Sequence, residues 1–307
     1  MTHSSPAAIA WIESPLQLVG AAEWAHAHGR SIPLAGRLTP GMSPTADALL
    51  ARGARFSETH PYLGIPWALL ARHPHWVVGD GFSGQFRLAA AVLRPREITF
   101  LDDGANTIPF AASVLGERAY ERPGVNEGRL TRSVAPFALE HVSRRAAHRA
   151  VTFATVFDLG TRTEQALADR GYRVGRHAFE WTRRTARPAP GIGRRVILGS
   201  ALPVDGRMPL AEFVAWVGAV AQAAPTTYLP HRRETAAQLA RIAAVPGVTV
   251  HDTGLPVELL LAGTPEPLEV FTLRSSTTTT LPLVLAGTGS QLRIGAPGSP
   301  AQAGAPS

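Results

Sequence analysis

The chain has 307 residues, 45% of them hydrophobic and 17% charged, which supports two domains of ordinary size with sizeable cores. The formal net charge is +7 and all 30 basic residues are Arg, a balance that favours anionic partners such as nucleotide sugars, anionic glycans or an anionic membrane surface. There is no Cys, which excludes disulfides, thiolate nucleophiles and Cys-ligated metals. The dense basic run with interleaved aromatics that marks a nucleic-acid binder is missing, so no nucleic-acid partner is expected. The opening MTHSSPAAIAWIESP carries no basic region leading into an apolar stretch, and no apolar run approaches the ~18 residues that span a bilayer. The expected location is the cytoplasm, with the inner face of the cell membrane as a site of peripheral association.

In chain order, Ala7–Ile12 reads as a buried strand. Pro15–His28 follows as a helix, with Ser14 as its N-cap, Pro15 in its first turn and Gly29 beyond its end. Ile32–Leu38, Trp76–Val78, Ile98–Leu101 and Val151–Val156 read as further strands, and Thr161–Arg170 as a helix. Trp181–Arg195 (WTRRTARPAPGIGRR) interrupts the pattern, and its Arg, Pro and Gly content suits an exposed linker. Beyond it, Val196–Leu198, Thr226–Leu229, Val248–His251 and Leu268–Leu273 read as strands. They alternate with helices over Pro209–Ala224, Arg233–Ala244 and Pro256–Leu261, and a last helix starts near Ser276. The Gly/Pro/Ala-rich stretch after about Gly287 reads as a frayed tail.

Strands alternating with helices imply parallel sheets covered on both faces. The expected organisation is an α/β chain of two Rossmann-like domains, 1–185 and 186–287, followed by a flexible tail, 288–307. Ligands of such sheets bind beyond the carboxyl ends of the strands, and polar clusters fall at those ends. They are Glu13-Ser14, Gly79-Asp80-Gly81 and Asp102-Asp103-Gly104 in the first block. In the second they are Gly199-Ser200, Pro230-His231-Arg232-Arg233-Glu234 and Arg274-Ser275-Ser276. The two sets are expected to converge on an interdomain cleft.

Two adjacent carboxylates at a strand end repel, so one pKa can rise into the range of a general base. The plainer alternative for Asp102-Asp103-Gly104 is a turn in which Asp caps the next helix. Ser275 and Ser276 stand before a helix, where hydroxyls and free N–H groups suit a phosphate or simply cap it. His231 between a β-rich run and two Arg residues suits phosphate, or is a surface His. Glu258 opens a helix, where it can hold a ribose or serve as a favourable first-turn acid. His26 and His28, two apart on a helix, do not face one metal, and His73 and His75 flank a loop Pro. Gly191-Ile192-Gly193 is not a dinucleotide fingerprint because no strand leads into it. Neither a phosphate-binding G-x-x-x-x-G-K-[ST] nor a G-x-S-x-G elbow occurs.

Taken in order, WIESPLQLVGAAEW (Trp11–Trp24), WVVGDGFSGQFR (Trp76–Arg87), ITFLDDGANTI (Ile98–Ile108), LGSALPVDG (Leu198–Gly206), YLPHRRE (Tyr228–Glu234), LPVELLL (Leu255–Leu261) and LRSSTTTTL (Leu273–Leu281) resemble the bacterial sialyltransferases, most closely the polysialyltransferase-like glycosyltransferases. The resemblance runs from about residue 9 to 285. It implies a GT-B fold and inverting transfer of sialic acid, or a related nonulosonic acid, from a CMP-sugar to a glycan acceptor, with no metal or other cofactor required. It maps the base onto Asp102 with Asp103 as second candidate, and the phosphate-side group onto His231. It places Gly104, Gly199, Ser200, Pro230, Arg232, Glu258, Ser275 and Ser276 on the donor, and Ser14, Gln17 and Asp80 on the acceptor side. Arg232 stands where the family usually has Pro, which keeps open another nucleotide-sugar donor, or a non-catalytic nucleotide- or glycan-binding relative.

Overall fold

The computed structural model describes residues 7–295. The chain divides into two compact units, Met1–Thr185 and Ala186–Ser307. The first is built on a seven-stranded parallel sheet. Its strands are β1 (Ala8–Ile12), β2 (Ile32–Arg37), β3 (Phe56–Tyr62), β4 (His75–Val78), β5 (Glu97–Phe100), β6 (Val151–Thr155) and β7 (Arg173–Arg176), in the order β3-β2-β1-β4-β5-β6-β7. The second holds β8 (Arg195–Leu198), β9 (Thr226–Leu229), β10 (Val248–Val250), β11 (Glu269–Leu273) and β12 (Gln291–Gly295), also parallel, in the order β10-β9-β8-β11-β12. Both are Rossmann-like, doubly wound sheets with helices between the strands, as a GT-B fold requires of each of its domains.

The central strands are continuous apolar runs because both faces of a parallel sheet are covered. All five residues of β1 (AIAWI) are buried. Trp11 meets the edge of Trp76 on β4 with ring centroids 5.7 Å apart, and Phe100 on β5 meets Phe110 at 4.6 Å. Each such burial contributes on the order of 1.5–3 kcal/mol, with edge-to-face contacts adding somewhat more. In the second unit, Ile197 joins Phe213, Trp216 and Tyr228 on one face of the sheet, and its neighbours Val196 and Leu198 join Leu229, Leu260 and Leu281 on the other. This is the two-residue alternation of a strand.

Two expectations from sequence need correction. The linker expected over Trp181–Arg195 is ordered at its start. Glu180–Arg184 is a short helix whose Trp181 and Thr182 backbone N–H groups donate to the Glu23 carboxylate at 3.1 and 2.7 Å, and whose Trp181 is buried. The expected flexible tail from residue 288 does not hold for Gln291–Gly295, which forms β12 beside β11; residues 296–307 lie outside the described residues. The sequence reading also passed over β3, β7 and several helices, among them Met42–Ala51, Gly84–Leu93, Thr107–Val114 and Arg129–Ala147. No helix among the described residues is long and apolar enough to cross a membrane.

Candidate active site

In the first unit, strand order reverses between β1 and β4, so their carboxyl ends flank the crevice where such sheets bind ligands. Glu13 and Ser14 follow β1, Gly79 and Asp80 follow β4, and Asp102 and Asp103 follow β5. Ser14 is the N-cap of the helix Pro15–Ala27, as expected. Gln17, one turn in, ties these ends together. Its Oε1 accepts from the backbone N–H groups of Glu13 at 2.8 Å and Ser14 at 3.2 Å, which orients its Nε2 to donate to Asp103 Oδ1 at 2.7 Å. Only glycine fits at position 79, since a Cβ there would lie 2.0 Å from Gln17 Oε1.

The two carboxylates of the acidic pair have different surroundings. Asp102 is buried. Its Oδ1 accepts from Thr107 Oγ1 at 2.8 Å and Thr155 Oγ1 at 2.5 Å, and its Oδ2 accepts from the Val156 backbone N–H at 2.8 Å. Neither oxygen caps the following helix, whose N-cap is Asn106. Burial pushes the Asp102 pKa up to about 6, with the hydrogen bonds from Thr155, Val156 and Thr107 opposing the rise. Asp103 is more open and accepts from Gln17, from Asn106 Nδ2 at 3.0 Å and from Arg122 at 3.0 Å. Gly104 closes the turn with φ of +57°.

Arg122 also contacts Asp80, so one guanidinium bridges the ends of β4 and β5. Burial, and then the neighbouring Asp103 charge, push Asp80 upward, while Arg122 opposes them. Glu13 pairs with Arg37, the last residue of β2, at 2.9 Å. A cavity of about 530 Å³ opens here, with Glu13, Asp80, Arg37 and Arg122 in its walls.

In the second unit, Gly199 and Ser200 follow β8, Pro230 and His231 follow β9, and Ser275 and Ser276 follow β11. The His231 loop is held by Glu234. Glu234 Oε2 accepts from the His231 backbone N–H at 2.7 Å, and its Oε1 accepts from the Tyr228 hydroxyl at 2.6 Å. A Cβ at Gly199 would lie 2.2 Å from Glu234 Oε2 and 2.4 Å from His231 N, so this loop also needs a glycine beside it. The Arg233 backbone N–H donates to His231 Nδ1 at 3.2 Å, which leaves the ring proton on Nε2. Burial, then the Arg232 and Arg233 charges, lower the His231 pKa to about 4. At neutral pH the ring is an uncharged donor. Arg233 pairs with Asp205, while Arg232 is exposed.

Ser276 is the N-cap of the helix Thr277–Val284, and the exposed Ser275 Oγ lies 2.6 Å from Thr277 Oγ1. Ser200 is buried and its hydroxyl accepts from the Leu202 N–H at 3.2 Å. Glu258 is 3% exposed and accepts from Thr280 Oγ1 at 2.6 Å, and burial raises its pKa. The structure thus brings Ser14, Gln17, Asp80, Asp102, Asp103 and Gly104 to one sheet edge of the first unit. It brings Gly199, Ser200, Pro230, His231, Ser275 and Ser276 to the corresponding edge of the second. Glu258 lies inward, against the helix that the serines open.

Two contributors escaped the sequence reading. Arg122 comes from an irregular stretch 42 residues beyond Asp80 and bears no local signal. His177 follows β7, with Nε2 3.8 Å from Asp102 Oδ2. Burial lowers its pKa to about 4, and its Nδ1 is buried without a hydrogen-bond partner. Among the described residues, no three His, Cys, Asp or Glu side chains are placed to hold a metal ion.

No family model matches the sequence, and no curated protein matches it. Solved structures resemble it distantly. One is UGT2 of Phytolacca americana complexed with UDP-2fluoro-glucose and pterostilbene, at 14% identity and TM-score 0.46, covering 94% of this chain and 80% of that one. Another is a UDP-glucosyltransferase from Polygonum tinctorium that glucosylates indoxyl, at 12% identity and TM-score 0.45, covering 95% and 80%. A third is MurG of Acinetobacter baumannii, at 12% identity and TM-score 0.32, covering 90% and 74%. Likenesses this distant say nothing about the chemistry.

Proposed function

We propose that the chain is an inverting GT-B glycosyltransferase that moves a sugar from a nucleotide-sugar donor to an acceptor hydroxyl. The observation that carries this reading is Asp102, a buried carboxylate at a strand end with its pKa raised to about 6. A base poised near working pH is ionised yet still takes a proton readily. Oδ1 already accepts two hydroxyls and Oδ2 one backbone N–H, so Oδ2 keeps a lone pair for the acceptor O–H. As that proton passes to Asp102, the acceptor oxygen attacks the anomeric carbon and the bond from that carbon to the donor phosphate oxygen breaks. Within the second unit, His231 Nε2–H, Arg232 and the polar groups at Ser275 and Ser276 are the groups suited to a nucleotide phosphate and its negative charge.

Two donors suit this reading. The ordered motifs resemble those of enzymes that use CMP-sialic acid, which carries a single phosphate. Arg232 favours a nucleoside-diphosphate sugar, because a second phosphate calls for more positive charge than a neutral imidazole gives. A thermal-shift panel of CMP, UDP and GDP separates the two, followed by turnover with the sugar donor of whichever nucleotide stabilises the protein. Stabilisation without turnover would overturn the enzymatic reading in favour of a nucleotide-binding protein. Turnover that survives Asp102→Asn near the wild-type rate would overturn the assignment of the base.

A further inference from the structure

The cavity in the first unit is bounded by more than the strand-end residues. Its lining also includes residues from the stretch Arg122 to Thr131 and from the start of the helix Gly84–Leu93. The chain around that stretch is anchored at three points. The Tyr120 hydroxyl donates to Gly81 O at 2.5 Å. The buried Arg87 donates twice to Glu127, at 2.6 and 2.9 Å. Arg122 contacts Asp80 and Asp103. The volume of about 530 Å³ lies inside the roughly 300–1,000 Å³ range of small-molecule sites.

The charge of the cavity is the informative property. Five charged residues line it, and each has an opposite partner within the protein: Glu13 with Arg37, Asp80 with Arg122, and Glu127 with Arg87 behind it. Arg122 is shared with Asp103, so the local set is three arginines against four carboxylates. An anionic ligand would have to break one of these pairs or sit beside an uncompensated carboxylate. A neutral ligand leaves them intact. Between the pairs stand Gln85, Asn126 and Thr131, and Gln85 Oε1 is buried without a hydrogen-bond partner. A buried acceptor of this kind wants an O–H or N–H donor. Ile65, Leu88, Val125 and Leu130 supply apolar surface around these polar groups. Apolar walls with a few directed donors and acceptors match a sugar ring, whose C–H faces are apolar and whose rim is hydroxyl.

We infer that this cavity is the acceptor subsite of the proposed transferase and that it takes a neutral, hydroxyl-rich saccharide and rejects anionic glycans. The inference rests on the glycosyltransferase reading for the word acceptor, while the binding it asserts is testable without donor. The experiment is saturation-transfer NMR with titration calorimetry on the full chain, free of nucleotide. The probes are a panel of neutral oligosaccharides that includes lactose and N-acetyllactosamine, each set beside its sialylated counterpart. Neutral members bind, and sialylation weakens binding by at least about tenfold. Leu88→Trp fills the cavity and removes binding, and Gln85→Ala weakens it while leaving the melting temperature near that of the wild type. Equal or tighter binding of the sialylated probes overturns the inference. So does a panel with no neutral binder, or neutral binding that Gln85→Ala leaves unchanged. Nucleotide thermal shifts on the same samples keep the two readings apart. If CMP, UDP or GDP still stabilises the protein and its donor is turned over, the cavity assignment alone has failed. If neither nucleotide nor saccharide acts, both have failed.

Discussion

Thr155 Oγ1 lies 2.5 Å from Asp102 Oδ1, a hydrogen bond that crosses from the end of β6 to the end of β5. Burial raises the Asp102 pKa, and this bond is the largest influence holding it down. Asp102 must be ionised to act as a base, so kcat/KM of the wild type falls about tenfold per pH unit below about pH 6. Thr155→Val keeps the shape and removes the hydroxyl. The pKa then rises, and the acid limb of the profile moves to higher pH. A pH profile of kcat/KM for both proteins checks this. An acid limb that does not move in Thr155→Val would show that another group titrates.

His231 makes the opposite prediction about pH. Burial and the two neighbouring arginines hold its pKa near 4, so its ring is already neutral at the pH of the assay. His231→Ala removes an N–H donor from the phosphate side and lowers kcat by about 100–1,000-fold, in the range seen when a single oxyanion donor is lost. The deficit stays constant from about pH 6 to 8, where an imidazole of ordinary pKa would still be titrating. His231→Gln offers an N–H at similar reach and recovers part of the rate. A deficit that shrinks steadily as pH rises would mean that a charged imidazole does the work.

The parts of this fold that were legible in the sequence are those where one physical signal dominates. β1, β5 and β9 lie inside their sheets, so they are short apolar runs bounded by polar turns. β3 (FSETHPY), β7 (RVGR) and β12 (QLRIG) lie at sheet edges. Edge strands carry charge and Pro, which protect them from pairing with other chains and also erase the apolar signal. The strand ends of the site were legible because parallel sheets gather ligands there. Arg122 was not, since its partners stand 42 and 19 residues away and only the tertiary fold brings them together. Nor was the inward position of Glu258, because a first-turn carboxylate looks the same in sequence whether it meets solvent or Thr280.

The glycine beside the His231 loop gives a test that joins stability to function. A Cβ at position 199 would meet Glu234 Oε2 at 2.2 Å and His231 N at 2.4 Å, and one of those contacts is backbone that cannot step aside cheaply. Gly199→Ala therefore displaces Glu234, which frees the Tyr228 hydroxyl and the His231 N–H from their acceptor. Overpacking of this kind costs about 1–3 kcal/mol. Urea denaturation should show that loss, and the nucleotide thermal shift should shrink with it. A stable Gly199→Ala protein with unchanged nucleotide response would show that the loop geometry does not set the donor side.

Arg87 and Glu127 form a buried pair that fastens the cavity wall, with Arg87 fully buried under the Tyr120 ring at 4.2 Å. Breaking such a pair from one side leaves an uncompensated buried charge, at a cost of about 3–5 kcal/mol. Arg87→Met strands Glu127 and carries that cost. In Arg87→Met with Glu127→Gln no buried charge remains, so the double variant is more stable than Arg87→Met alone. The pair also has a pH signature. Burial alone raises the Glu127 pKa, but the hydrogen bonds from Arg87 and the Arg122 N–H bring it below the ordinary Glu value. A depressed folded-state pKa means the stabilisation is complete above the unfolded-state value and is lost as pH falls through the folded one. Acid unfolding of the wild type therefore includes protonation of Glu127, and the double variant loses that component. Denaturation midpoints of the three proteins at neutral and acid pH measure both effects. A double variant no more stable than Arg87→Met would show that the loss comes from the missing Arg87 stem against Tyr120 and not from the charge left on Glu127.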